Sequence, residues 1–119
     1  CIETGPGVAA LEGSDTVLSL IRQAAQEEAL WLAAICAAPT LLARMGLLTG
    51  RQAVCYPGME RDLTANGVTP RMDRSTVVDG KFITGRAPGS AFDFGLALVE
   101  ALVGAPAAQQ VRTDTHYQG

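Results

Sequence analysis

A cysteine stands at the seam between two unlike stretches of this chain. Leu30-Trp31-Leu32-Ala33-Ala34-Ile35 is an unbroken apolar run, and Cys36 follows at once. So short a run cannot span a membrane and suits a parallel strand buried on both faces. The next segment, Pro39-Thr40-Leu41-Leu42-Ala43-Arg44-Met45, reads as a short helix with proline in its first turn. Cys36 is therefore expected on a tight strand-to-helix turn, its sulfur over the carboxyl edge of a sheet. The positive end of a helix dipole there favours the thiolate, which is the nucleophilic form. The competing expectation is that Cys36 is a small buried hydrophobe.

Few other residues offer chemistry. Gln52-Ala53-Val54-Cys55-Tyr56, ended by Pro57-Gly58, reads as a second short strand. Cys55 and Tyr56 then also fall at a strand's carboxyl end, where open α/β sheets bind ligands. Arg86 lies in the loop Gly85-Arg86-Ala87-Pro88-Gly89, where a guanidinium suits an anionic substrate group, a partner carboxylate or a plain structural tie. Glu27 and Glu28 close an amphipathic segment and are expected in solvent. His116, the one histidine, sits in the polar tail and reads as exposed decoration. Three cysteines, Cys1, Cys36 and Cys55, are an odd number without metal-ligand spacing. A disulfide framework and a metal site are both disfavoured, and a reducing, cytoplasmic compartment is expected.

The elements that must position these residues follow from pattern. At 119 residues the chain is one domain or less, and 48% hydrophobic with 18% charged residues is ordinary for a globular protein. A net charge of -3 gives no electrostatic case for nucleic acid or an anionic membrane. Ser14-Asp15 starts a helix whose stripe Val17, Leu18, Ile21, Ala24 and Ala25 covers a sheet face through about Glu28. Gly46 is a plausible carboxyl cap for the helix after Cys36. Met59 to Ala65 reads as a turn or two of helix closed by Asn66-Gly67. Thr76-Val77-Val78, Asp79-Gly80, Phe82-Ile83-Thr84 is a strong hairpin signal. Ser90 with Asp93 resembles a capping box, followed by the stripe Ala91, Phe94, Ala97, Leu98, Ala101 and Leu102 up to Gly104. The tail after Ala105 holds a short helix.

Taken together, Ala33-Ala34-Ile35-Cys36-Ala37-Ala38-Pro39-Thr40, Cys55-Tyr56-Pro57-Gly58, the Asp79-Gly80 hairpin and Gly85-Arg86-Ala87-Pro88-Gly89-Ser90-Ala91-Phe92-Asp93-Phe94 resemble the DJ-1/ThiJ/PfpI superfamily, in its DJ-1-like branch. Order and spacing match from about Gly7 to Val103. The resemblance implies an α/β, flavodoxin-like three-layer sandwich of the class I glutamine amidotransferase-like kind, usually a homodimer. It implies Cys36 as nucleophile, a backbone donor at Ala37, and a substrate site lined by Gly5, Gly7, Tyr56, Arg86 and Pro88. Activities known in the family are glyoxalase conversion of methylglyoxal to lactate without added cofactor, deglycase action on early glycation adducts, redox-responsive chaperoning and oxidative-stress protection.

Three departures qualify the expectation. The protease-like branch has a histidine directly after its cysteine, whereas Ala37 stands there in this chain, so a cysteine protease is disfavoured. Some DJ-1-like members have a histidine where this chain has Tyr56, which leaves no evident general base for Cys36. The family's leading strands, with the glutamate that hydrogen-bonds the sulfur, are expected before residue 1, and Gly5-Pro6-Gly7 is the nearest counterpart of a Pro-Gly-Gly oxyanion turn. Residues 1–119 thus read as the carboxyl-terminal portion of one domain, present as an incomplete or cleaved chain, with Cys1 in place of methionine fitting a cleavage product. Its expected partners are the amino-terminal portion of the same domain, a second copy of the completed unit and a small carbonyl substrate. Two other roles fit the same residues: a non-catalytic sensor whose Cys36 sulfinate sits at a helix end, and a structural subunit completing a partner's site.

Overall fold

Alternation along one strand sets the architecture. In the computed structural model, which describes residues 6–117, strand β1 (Leu32–Ile35) sends Leu32 and Ala34 to one side of a sheet and Ala33 and Ile35 to the other. The first side packs against helices α2 (Asp15–Gln26) and α3 (Ala38–Arg44), through Ile21, Leu41 and Leu42. On the second side Ala33 and Ile83 meet Phe94 of helix α5 (Ala91–Val103), with Ala97 and Leu98 beside them. Helices on both faces of a largely buried sheet make the three-layer α/β arrangement. Leu41, Leu42 and Leu63 are fully buried, and truncating any of them to alanine costs roughly 2–5 kcal/mol.

Strand β1 pairs in parallel with β5 (Phe82–Gly85), which pairs antiparallel with β4 (Thr76–Asp79). Register β4–β5 sets Asp79 opposite Phe82, so Gly80 and Lys81 form a two-residue turn. Only Gly80 of the two has positive φ, at 61°, which is the II′ form of hairpin turn rather than one built on Asp79-Gly80. A separate parallel pair joins β2 (Gln52–Ala53) to β3 (Thr69–Pro70), with helix α4 (Glu60–Ala65) between them in the chain.

Local signals account for the helix ends. The Ser14 side chain accepts the Val17 N–H at 3.3 Å, starting α2. Gly46, at φ 77°, and Leu47 return their N–H groups to Ala43 and Leu42, closing α3 in a Schellman turn. Helix α1 (Pro6–Glu12) is joined to the base of α3 by Arg44, whose Nε lies 2.7 Å from Glu12.

Several expectations change. The apolar run forms strand only from Leu32; Leu30 and Trp31 precede it and are 49% and 38% exposed. The second strand stops at Ala53, because the next N–H, that of Val54, goes to the Thr84 side-chain oxygen at 3.1 Å. Ser90 caps α5 without a side-chain hydrogen bond, and a 3-10 turn over Pro88–Ser90 leads into the helix instead. Leu102, expected on the apolar stripe, is 69% exposed, while Leu96 is buried. Pro6 and Gly7 belong to α1 rather than to a loop; Cys1 and Gly5 lie outside the described residues. The tail forms a full helix, α6 (Ala105–Asp114), packed on α5.

Candidate functional site

The residue that pattern singled out first for its chemistry stands where β1 ends. Cys36 has φ of 67°, in the left-handed region that an L-residue enters at a cost of roughly 1–3 kcal/mol. Two hydrogen bonds from separate segments hold it there. Its N–H donates to the Gly85 carbonyl at 2.9 Å, extending the β1–β5 ladder by one residue, and its carbonyl accepts the Tyr56 N–H at 2.7 Å. Ala37 follows in ordinary helical geometry as the N-cap of α3, its carbonyl accepting both the N–H and the hydroxyl of buried Thr40, at 3.1 and 2.6 Å. The chain thus passes from strand to helix through one strained residue. Cys36 is 9% exposed, at the edge of the buried core.

The loop that holds the Cys36 carbonyl is itself fixed. Both Glu60 carboxylate oxygens accept the Gly58 N–H, at 2.8 and 3.1 Å, which lowers the Glu60 carboxyl from its usual range and keeps it charged. Tyr56 stands in this loop with its ring half exposed. Cys55, one residue earlier, is fully buried and its sulfur donates to the Tyr56 carbonyl at 3.5 Å. Burial, then the charges of Glu60 and Asp62 and the neighbouring Cys36, push the Cys55 thiol up to about 12, so it stays protonated at neutral pH.

The expected site residues fall into two groups. Cys36, Ala37 and Tyr56 come together at the turn, and Gly85 brings Arg86 to its border. Arg86 is engaged in structure: its N–H donates to Ser75, and one guanidinium nitrogen donates to the Met72 carbonyl at 3.2 Å. Pro88 is exposed at the start of the 3-10 turn. Gly7 lies in α1, and Gly5 is outside the described residues. His116 is exposed at the end of α6, and Glu27 and Glu28 are in solvent as expected. Asp93 accepts from the Ser75 and Tyr117 hydroxyls, each at 2.8 Å, and Tyr117 stacks on Phe92 with ring centroids 4.2 Å apart. Glu60 and Gly85 were not among the residues that pattern singled out. Their roles depend on contacts across the fold: Gly85 stands 49 residues from Cys36 in the chain and meets it only through the β1–β5 pairing.

A parallel strand that enters a helix through a cysteine at positive φ, with helices on both faces of its sheet, defines the elbow-cysteine class of flavodoxin-like α/β proteins. Residues 5–101 match the DJ-1/PfpI family, and the chain belongs to it. It is 42% identical to Protein dj-1beta of Drosophila melanogaster over 80 residues, covering 67% of this chain and 42% of that protein. The solved structure of Drosophila melanogaster DJ-1beta superposes with a TM-score of 0.87 at 35% identity, covering 98% of this chain and 62% of that one. A Caenorhabditis elegans protein named glutathione-independent glyoxalase DJR-1.2 is 32% identical over 103 residues, 87% of this chain and 54% of that protein. The chain therefore spans less than two thirds of the length of each. Among the described residues, no helix is long and apolar enough to cross a membrane.

Proposed function

We propose that this chain is the carboxyl-terminal portion of a single DJ-1/PfpI domain whose completed form is a cytoplasmic, cysteine-dependent enzyme acting on small reactive carbonyls. The observation that carries the reading is Cys36 itself. A side chain kept at a left-handed turn between strand and helix is held there against its own backbone preference, as a presented nucleophile would be. The relative named as a glyoxalase, aligned over most of this chain, supports the carbonyl substrate class.

In the reaction, the Cys36 thiolate adds to the aldehyde carbon of methylglyoxal. The new C–S bond forms as the carbonyl π pair moves to oxygen, and protonation of that oxygen gives the hemithioacetal. Ala37, directly after the nucleophile, occupies the position from which a backbone donor serves the oxyanion. Tyr56, Arg86 and Pro88 border the substrate. Cys55, locked as a neutral thiol, takes no part in the addition. The carboxylate that moves protons comes from the amino-terminal portion of the domain. That portion also supplies a neighbour for β1, which among the described residues pairs only with β5, and the completed unit forms a homodimer.

Methylglyoxal turnover by the completed protein tests the reading. Wild type and Cys55→Ala are expected to be active and Cys36→Ala inactive but folded. Wild-type turnover by Cys36→Ala would refute the thiolate mechanism, and an inactive wild type whose Cys36 oxidises stoichiometrically would favour the sensor role.

A further inference from the structure

We infer that Gly85 is a positioning residue for Cys36: the missing side chain at 85 lets the ends of β1 and β5 approach closely enough to hold the cysteine at its left-handed angle. The inference rests on Cys36 being the nucleophile and adds the element that holds it in place.

Most turn glycines in this chain explain themselves by backbone angle, as Gly46, Gly58, Gly67 and Gly80 all have positive φ. Gly85 does not. It is a buried strand residue in ordinary extended pairing, so any L-residue would satisfy its backbone. What it lacks is room. A Cβ at 85 would lie 2.9 Å from Ile35 Cγ1, 2.9 Å from Phe94 Cδ1 and 3.1 Å from Ile35 Cδ1. By contrast, a Cβ at Gly89 or Gly95 would meet nothing within 4 Å.

The clash has one consequence for the site. Ile35 Cγ1 is one bond beyond Cβ, so it clears only by turning χ1 into a less favoured rotamer of a β-branched side chain or by a shift of Ile35 itself, which is bonded to Cys36. The simplest relief is to part β1 from β5 at their carboxyl ends. That stretches the 2.9 Å bond from the Cys36 N–H to the Gly85 carbonyl, one of the two that oppose relaxation of φ. Glycine at 85 thus couples the register of the hairpin to the presentation of the sulfur.

The test is the rate of Cys36 alkylation by iodoacetamide as a function of pH in the completed protein, alongside the melting temperature. Gly85→Ala is expected to slow Cys36 labelling by up to roughly tenfold, the scale of one lost positioned hydrogen bond, and to move the pH midpoint of labelling. Gly89→Ala and Gly95→Ala are expected to match wild type. Adding Ile35→Ala to Gly85→Ala removes both Ile35 contacts, leaves the equally close Phe94 ring edge on the α5 side of the sheet, and is expected to restore the rate and midpoint to those of Ile35→Ala alone. An unchanged rate and midpoint in folded Gly85→Ala would overturn the inference. So would a double variant still about tenfold slower than Ile35→Ala, a comparison that holds even where Gly85→Ala does not fold. A wild-type Cys36 no faster than a free thiol would instead refute the nucleophile reading, leaving the two failures distinct.

Discussion

Two backbone bonds, to Gly85 and from Tyr56, hold Cys36 at φ 67°, and the strain this stores is measurable. Glycine occupies that angle freely and alanine does not, so Cys36→Gly is expected to be about 1 kcal/mol more stable than Cys36→Ala by urea unfolding. Equal stabilities would mean that the turn imposes no strain. Cys55 gives a pH-dependent counterpart. Its thiol moves from an ordinary 9.0 to about 12 on folding, so above pH 9 the unfolded chain releases that proton first. Its contribution to stability is whole below pH 9 and is lost as pH rises toward 12. The stability of Cys55→Ala is therefore expected to fall less steeply with alkaline pH than that of wild type, and parallel curves would contradict the burial of this thiol.

At the scale of elements, what was legible was local. The Ser14 cap, the Gly46 closure and the hairpin each rest on residues a few positions apart; the first two formed as their patterns implied, and the hairpin formed with its turn one residue later, on Gly80 and Lys81. Cys36 was legible for the same reason, standing between an apolar strand and a proline-started helix. The misreadings involve distant partners. Asp93 resembled half of a capping box but is spent on Ser75 and Tyr117, 18 and 24 residues away. Lys81 drew no notice as a turn residue, yet its ammonium donates to the carbonyls of Ala24, Ala25 and Glu27 at 2.5, 2.9 and 2.6 Å, capping the carboxyl end of α2 from across the fold. Lys81→Met leaves those carbonyls to water and removes a favourable charge from the helix end. A loss of about 1–2 kcal/mol in urea unfolding is expected, and no loss would show that solvent replaces the cap fully.

For the whole molecule, the open edge of β1 is the decisive feature. A strand buried on both faces ordinarily has hydrogen-bonding neighbours on both edges, whereas among the described residues this one has β5 alone. Leu30 and Trp31 lie exposed at its start. Residues 1–119 by themselves are expected to bind a hydrophobic dye and to melt without a sharp transition. An amino-terminal portion of the same domain is expected to suppress the dye signal and restore cooperativity. A monodisperse 12.4 kDa species that melts cooperatively on its own would contradict this.

The central claim is that the turn at the end of β1 makes Cys36, and not Cys55, the reactive thiol. Brief iodoacetamide treatment of the native protein at neutral pH, followed by peptide mapping, measures this directly. Cys36 is expected to be labelled while Cys55, fully buried and held protonated, stays unmodified. Equal labelling of the two, or labelling of Cys55 first, would contradict it.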